Sequence, residues 1–144
     1  MNILEPIWVS ILIKNTYSCI KGRGIHAAVR DIKRDLKDVE GTKYCLKLDI
    51  KKFYPSIDHD VLKQIVRKKI KDVKLLRLLD SIIDSTNGIP IGNYLSQFFA
   101  NLTLAYFDHW LKEVKQVKYY YRYADDIVIL SNSKEELKTL FNDI

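Results

Sequence analysis

Apolar and polar positions alternate along this chain with two distinct periods, and the switches between them mark out its elements. Ile25, Val29, Ile32, Leu36 and Val39 recur at spacings of three and four, with Lys33, Arg34, Lys37 and Asp38 between them. That spacing predicts an amphipathic helix whose apolar stripe turns toward a core. After Gly41 the period falls to two: Tyr44, Leu46, Leu48 and Ile50 share one side, and Lys43, Cys45, Lys47 and Asp49 the other. A strand is predicted there, with Asp49 on its polar face near the end. Pro55 interrupts the pattern and Asp58 is placed to cap a second helix carrying Val61, Leu62, Ile65, Val66 and Ile70, basic on its outer side. A third helix is predicted from Val73 to Asp84. Asn87-Gly88 marks a turn, Pro90 and Gly92 continue an irregular stretch, and from about Asn93 the longest helix runs through Leu95, Phe98, Phe99, Leu102, Tyr106 and Trp110. Two strand-like runs, Val117 to Tyr123 and Ile127 to Ser131, flank Ala124-Asp125-Asp126 at nearly the separation of a tight hairpin, which places both aspartates at its tip. Ser133 with Glu136 reads as a capping box opening a last helix. The order predicts an α+β fold, a small antiparallel sheet backed by helices, without alternating βαβ winding.

Composition narrows the function classes. A chain of 144 residues, 47% hydrophobic and without repeats or low-complexity runs, is expected to form a single domain with its own core. Its balance of +6, from 24 basic and 18 acidic residues, favours a polyanionic partner. Cys19 and Cys45 are too few and too far apart for a disulfide framework, so a reducing, cytoplasmic setting is expected. His26, His59 and His109 have no companions at zinc-ligand spacing. The apolar stretch Ile3 to Ile13 is broken by Glu5 and Pro6 and is too short to span a bilayer, so no membrane partner is expected.

Asp49 on a strand and Asp125 beside Asp126 on a hairpin form the candidate chemistry. Extending a nucleic-acid strand requires an oxygen to attack phosphorus while pyrophosphate leaves, and the demand on the protein is to hold cations that stabilise both oxygens. Because Mg²⁺ keeps several waters and substrate oxygens, two or three carboxylates suffice. Each signal also has a plain structural reading: a strand-end Asp is commonly solvated, and an Asp pair in a hairpin commonly serves the turn. Their surroundings add weight, since Phe53, Tyr54 and Pro55 follow Asp49, and hydrophobic strands enclose Asp125-Asp126. Adjacent like charges in such a place are costly unless a cation accompanies them.

The run Leu48-Asp49-Ile50-Lys51-Lys52-Phe53-Tyr54-Pro55-Ser56-Ile57 resembles the first catalytic motif of bacterial reverse transcriptases, and Tyr123-Ala124-Asp125-Asp126 resembles their second. Between them, Gly88-Ile89-Pro90-Ile91-Gly92-Asn93-Tyr94-Leu95-Ser96-Gln97, continuing through Phe98-Phe99-Ala100-Asn101-Leu102, is similar to the family's template- and nucleotide-contacting motif. Tyr17-Ser18-Cys19-Ile20-Lys21-Gly22-Arg23-Gly24, with His26-Ala27-Ala28, is similar to the segment that precedes the first catalytic motif. The four matches occur in family order and span most of residues 15 to 131.

The resemblance implies a polymerase palm, part of a right-hand reverse transcriptase, with partial fingers over about residues 1 to 40, palm over about 41 to 144, and fingers and thumb incomplete. It implies an RNA-directed DNA polymerase that uses two Mg²⁺ ions, with Mn²⁺ as a substitute, to add dNTPs to a DNA primer on an RNA template. Asp49 and Asp125 would be the principal metal ligands, with Asp126 supporting them and the Ile50 carbonyl as a further ligand. Nucleotide contacts are implied for Tyr54, Phe53, Lys52, Gly92, Asn93 and Gln97, and nucleic-acid contacts for Arg23, Arg30, Ile91 and Ser96. Tyr54 occupies the position of the aromatic gate under the incoming sugar; an aromatic packed in the core is the equal alternative. Asn93, Ser96 and Gln97 equally suit a helix start and its polar face. Where typical family members carry Gln before the Gly of the middle motif, Ile91 stands here, which resembles the enzymes of diversity-generating retroelements and adds a small basic accessory protein to the expected partners. Family members run to twice this length or more, so a fragment with little processive activity of its own is expected. Two other readings share the carboxylates: a catalytically inactive palm-like module binding RNA or protein, and another two-metal enzyme such as a nuclease or nucleotidyl cyclase.

Overall fold

A computed structural model of the chain describes residues 3–92 and 94–144. They form two compact units, one from the residues up to 13 together with 51–108, the other from residues 14–50 and 109–144.

The first unit is helical. Helix α1 (Leu4–Val9) carries Pro6 in its first turn, where no helical hydrogen bond is lost, and delivers Trp8 to the core. The short α3 (Phe53–Ser56), α4 (His59–Lys69), α5 (Val73–Ile83) and α6 (Tyr94–Thr103) follow. Both predicted middle helices form, and each begins on an aspartate: Asp58 accepts from the Val61 amide at 2.9 Å and Asp72 from the Leu75 amide at 2.7 Å. Trp8 lies 5.8 Å from the rings of both Phe98 and Phe99, and Leu62, Ile83 and Leu102 are fully buried around the same core. The predicted turn at Gly88 has a steric reason. Its φ is +72°, and a Cβ there would come 2.3 Å from the Tyr54 carbonyl, which accepts from the Ile89 amide.

The predicted long helix is interrupted. A turn at Leu104 separates α6 from α7 (Ala105–His109), and a π-helical turn (Trp110–Val114) ends the run, the Lys115 amide reaching five residues back to the Trp110 carbonyl at 3.0 Å. The Thr103 hydroxyl donates to the Phe99 carbonyl at 2.9 Å, a competing bond that accompanies such breaks.

The second unit is a four-stranded sheet in the order β1-β3-β4-β2: β1 (Thr16–Tyr17), β2 (Tyr44–Asp49), β3 (Tyr119–Tyr123) and β4 (Asp126–Ser131). β4 pairs antiparallel with both β2 and β3, as expected; β1 adds a two-residue parallel edge that is too short to carry a periodic signal. Register assigns the faces. Cys45, Lys47 and Asp49 on β2 lie with Leu130, Val128 and Asp126 on β4, and with Tyr119, Tyr121 and Tyr123 on β3. Helix α2 (Ile25–Asp35) packs on this face and α8 (Lys134–Asp143) on the other, with Leu137 and Leu140 buried.

Helix α2 corrects the expected orientation. Its stripe of Ile25, Val29, Leu36 and Val39 is 50%, 41%, 45% and 69% exposed, and only Ile32 packs at the core margin. The inward face instead carries Ala27 and Ala28, small enough for close approach to Tyr17, Tyr121 and Leu130, and a row of carboxylates. The Tyr17 hydroxyl donates to Asp31 at 2.7 Å, that of Tyr121 to Asp35, and that of Tyr119 to Asp38 just past the helix end. Three tyrosine hydroxyls thus meet three acids, and polar contacts outcompete the apolar stripe because the sheet surface below is itself tyrosine-rich. The predicted capping box is half formed: Ser133 Oγ accepts from the Glu136 amide at 3.2 Å, but the Glu136 carboxylate takes the hydroxyl of Ser131.

Candidate active site

Strands β2 and β4 bring two of the predicted carboxylates together. Asp49 is directly opposite Asp126 in the ladder, so both project from the same face, and Asp125 occupies the two-residue loop with Ala124. The sequence reading placed both aspartates at the tip; only Asp125 is there, and Asp126 begins β4. The loop has a positive φ, +54°, at Ala124 alone, the pattern of a type II′ hairpin turn, where Gly is the default residue. A non-glycine residue held in that region stores strain.

Two residues that sequence reasoning passed over hold this corner. Lys47 places Nζ 3.3 Å from the Asp126 carboxylate, and both side chains are half or more exposed. Its signal was available, since a residue two positions before Asp49 in an alternating strand shares its face. Arg122, fully buried, donates from Nη1 to the Ala124 carbonyl at 2.8 Å and so ties the strained loop to β3. An arginine inside a run of strand tyrosines was its only signal, because burial of a guanidinium requires partners that sequence does not name.

The side chains of Asp49 and Asp125 make no hydrogen bond or ion pair among the described residues, and Asp49 is exposed. Like charges directly across a ladder repel, and one exposed lysine offsets them only in part. The corner therefore offers the carboxylate oxygens that a hard cation takes as ligands, with Lys47 as the one protein donor to them among the described residues. Among the described residues no three or more potential ligand side chains are already drawn into one cluster.

The remaining predicted site residues lie in differing surroundings. Ile50, directly after β2, is half-buried. Lys52 is exposed and sits at φ +53° ahead of α3. Phe53 is buried, 5% exposed, with the ring of half-buried Tyr54 against it edge-on at 5.5 Å. Gly92 and Gln97 are exposed, and Ile91 is 83% exposed. Ser96 is 1% exposed, its hydroxyl turned into the interior of α6 packing. Asn93 lies outside the described residues. Arg23 is half-buried and Arg30 exposed on α2.

A family model described as reverse transcriptase (RNA-dependent DNA polymerase) matches residues 1–144. The chain belongs to the reverse transcriptase family. It is 34% identical over 114 residues to the retron Ec73 reverse transcriptase of Escherichia coli, covering 69% of this chain and 36% of that protein. It is 28% identical over 123 residues to protein YkfC of Escherichia coli strain K12, covering 76% and 32%, and 27% identical over 124 residues to the group II intron-encoded protein LtrA of Lactococcus lactis subsp. cremoris, covering 78% and 20%. Thus the chain spans little more than a third, or less, of these relatives. An apo telomerase structure from Candida tropicalis, truncated from its C-terminal domain, superposes with a TM-score of 0.76 at 15% identity, over 98% of this chain and 35% of that one, a likeness of fold. No helix among the described residues of this reverse transcriptase chain is long and apolar enough to cross a membrane.

Proposed function

We propose that this chain is the palm, with part of the fingers, of an RNA-directed DNA polymerase, the fingers share lying in about residues 1 to 40 and the palm in about 41 to 144. Asp49, Asp125 and Asp126 are its metal-holding carboxylates. The observation that carries the reading is the corner of β2 and β4, where two aspartates face each other across the ladder beside a third in a strained loop, with Lys47 as their one counter-charge among the described residues.

Two Mg²⁺ ions, or Mn²⁺ in their place, would supply stabilisation of the attacking and leaving oxygens. Asp49 and Asp125 would hold both ions, with Asp126 in support and the Ile50 carbonyl as an additional ligand. Arg122 keeps the Asp125 loop in place through its bond to the Ala124 carbonyl. Tyr54, with Phe53 packed behind it, would meet the sugar of the incoming dNTP, while Lys52, Gly92, Asn93 and Gln97 serve the nucleotide. Arg23, Arg30, Ile91 and Ser96 serve an RNA template and DNA primer; Ser96 does so by shaping α6 from within, since it is buried. Ile91 in place of a polar residue supports relaxed base selection and a place among diversity-generating enzymes, because hydrogen-bonded sites discriminate more sharply than apolar ones, and a small basic accessory protein belongs to that reading.

Calorimetric titration of Mn²⁺ into the purified chain tests the site, followed by primer extension on an RNA template by the full-length protein. Saturable binding that is lost in both Asp49→Asn and Asp125→Asn, with extension lost in parallel, is the expected result. Full-length protein that extends primers normally with either substitution sinks the assignment. A second reading, a palm-like RNA- or protein-binding module without catalysis, draws on the absence of a ready ligand cluster among the described residues. It predicts no extension under any metal.

A further inference from the structure

Helix α2 sorts its charges by side. Asp31 and Asp35 turn toward the sheet, where Tyr17 and Tyr121 donate to them, and Asp38 receives Tyr119. Arg34 is spent on the same acids, at 3.1 Å from Asp31 and 2.9 Å from Asp35. The other basic groups are left on the outer side. His26, Arg30, Lys33 and Lys37 fall at i, i+4, i+7 and i+11, one line along the helix and the turn that follows it, and all four are exposed. The side chains of His26, Lys33 and Lys37 make no ion pair or hydrogen bond among the described residues, and that of Arg30, 73% exposed, only approaches Asp31 at 3.7 Å. These four side chains, with Val29 and Arg34, line a single shallow groove.

We propose that this line of His26, Arg30, Lys33 and Lys37 binds a nucleic-acid strand through its phosphates, independently of base sequence. The line covers roughly 16 Å of helix axis at 1.5 Å per residue. A duplex strand presents a phosphate about every 3.4 Å of its axis, so several phosphates fall within reach at once. The acids of the helix are removed from that side, which leaves a row of cations without interleaved repulsion. Helix α2 packs over β1, β3 and β4 through the side that carries Ala27, Ala28, Asp31 and Asp35, so the basic line lies on the side turned away from the sheet, open to a strand along its length. The partly exposed Val29 and Leu36 beside the line would suit an anionic lipid surface, but the alignment of the cations in one row at phosphate-like spacing favours a nucleic-acid strand.

The inference rests on the chain handling nucleic acid, not on its metal site, so the two are tested apart. Fluorescence anisotropy would follow binding of a labelled 20-nucleotide single-stranded RNA to the purified chain in EDTA, over a series of salt concentrations. The triple variant Arg30→Glu, Lys33→Glu, Lys37→Glu is expected to lose at least tenfold in affinity. The slope of log affinity against log salt should fall by about 2, near 0.7 for each of three single-strand phosphates that the variant no longer neutralises. A control with Lys69→Glu, Lys74→Glu and Arg77→Glu, exposed residues on other helices, carries the same change in net charge and is expected to stay within threefold of the parent. Equal losses in both triples, or none in the first, overturn the proposal. So does binding to phosphatidylserine vesicles without RNA binding. Thermal melts check folding, and the milder Gln triple replaces the Glu triple if its melting point drops. Because binding is read in EDTA with no metal present, failure of the metal reading leaves this result distinct.

Discussion

Two groups of three aspartates, one on the helix that covers the sheet and one at the end of the sheet, meet opposite fates. Asp31, Asp35 and Asp38 belong to α2 and the turn after it; each accepts a tyrosine hydroxyl, and their side chains are 15%, 19% and 40% exposed. Asp38 also takes the Gly41 amide at 3.1 Å and Lys118 at 3.2 Å. Asp49 and Asp126 face each other at the end of β2 and β4 with Asp125 in the loop beside them, and among the described residues Lys47 alone pairs with this group. Identical side chains are made structural in one place and left available in the other. What separates them is the supply of donors, since a carboxylate saturated with hydrogen bonds has nothing left for a cation.

The largest expected effect tests the available group. Asp49→Asn or Asp125→Asn in the full-length protein should slow primer extension at least a hundredfold, equivalent to about 2.7 kcal/mol of barrier, while chemical denaturation shows stability unchanged or slightly raised because repulsion at the corner is relieved. A comparable loss of folding stability would mean these acids are structural after all. The mirror experiment is Tyr121→Phe, which removes a donor from partly buried Asp35. It should cost about 1 kcal/mol of stability by urea titration and leave Mn²⁺ binding untouched.

Titration of the fold should report the structural group alone. Arg34 above all, then Tyr121, holds the Asp35 carboxyl below the ordinary value of 3.8, and Tyr119, Lys118 and the Gly41 amide do the same for Asp38. A depressed carboxyl contributes stability that is present above 3.8 and lost as pH falls through the lower folded value. Tyr17 and Tyr121 are displaced the other way. Burial first, then the bonds to Asp31 and Asp35, raises both above 10.0, so their contribution is full below pH 10 and declines above it. Near-ultraviolet circular dichroism, to which these buried tyrosines contribute, should therefore stay flat between the two limits and change at both; a transition near neutral pH would contradict the tyrosine–carboxylate pairing.

Smaller effects sharpen the corner itself. Ala124→Gly should relieve the positive φ and raise stability by up to about 1 kcal/mol, less the entropy glycine adds to the unfolded chain. Lys47→Ala, removing an exposed pair worth well under about 1 kcal/mol, should leave stability nearly unchanged and raise Mn²⁺ affinity a few fold, because the resident cation no longer competes.

The carboxylate corner was legible before any coordinates because its parts are local. Strand alternation assigned the face of Asp49, hairpin separation located Asp125, and the motif order tied them together, while Asp58 and Ser133 announced the helices they cap. Helix α2 was legible as a helix and misread in orientation. Its apolar stripe is genuine in period, yet the surface it would have packed on is occupied by a tyrosine from β1 and by tyrosines from β3, far away in sequence, and hydroxyl-to-carboxylate bonds set the rotation instead. The pairing of Asp49 with Asp126 in place of Asp125, the ion pair from Lys47 and the buried anchor of Arg122 likewise depend on register and burial. By itself the sequence determined most of the helices and strands and singled out the candidate carboxylates, because period, caps and turns act over a few residues. Only the tertiary structure decided which side of α2 faces the sheet and which aspartates find donors, because those outcomes are contests between partners that chain order does not bring together.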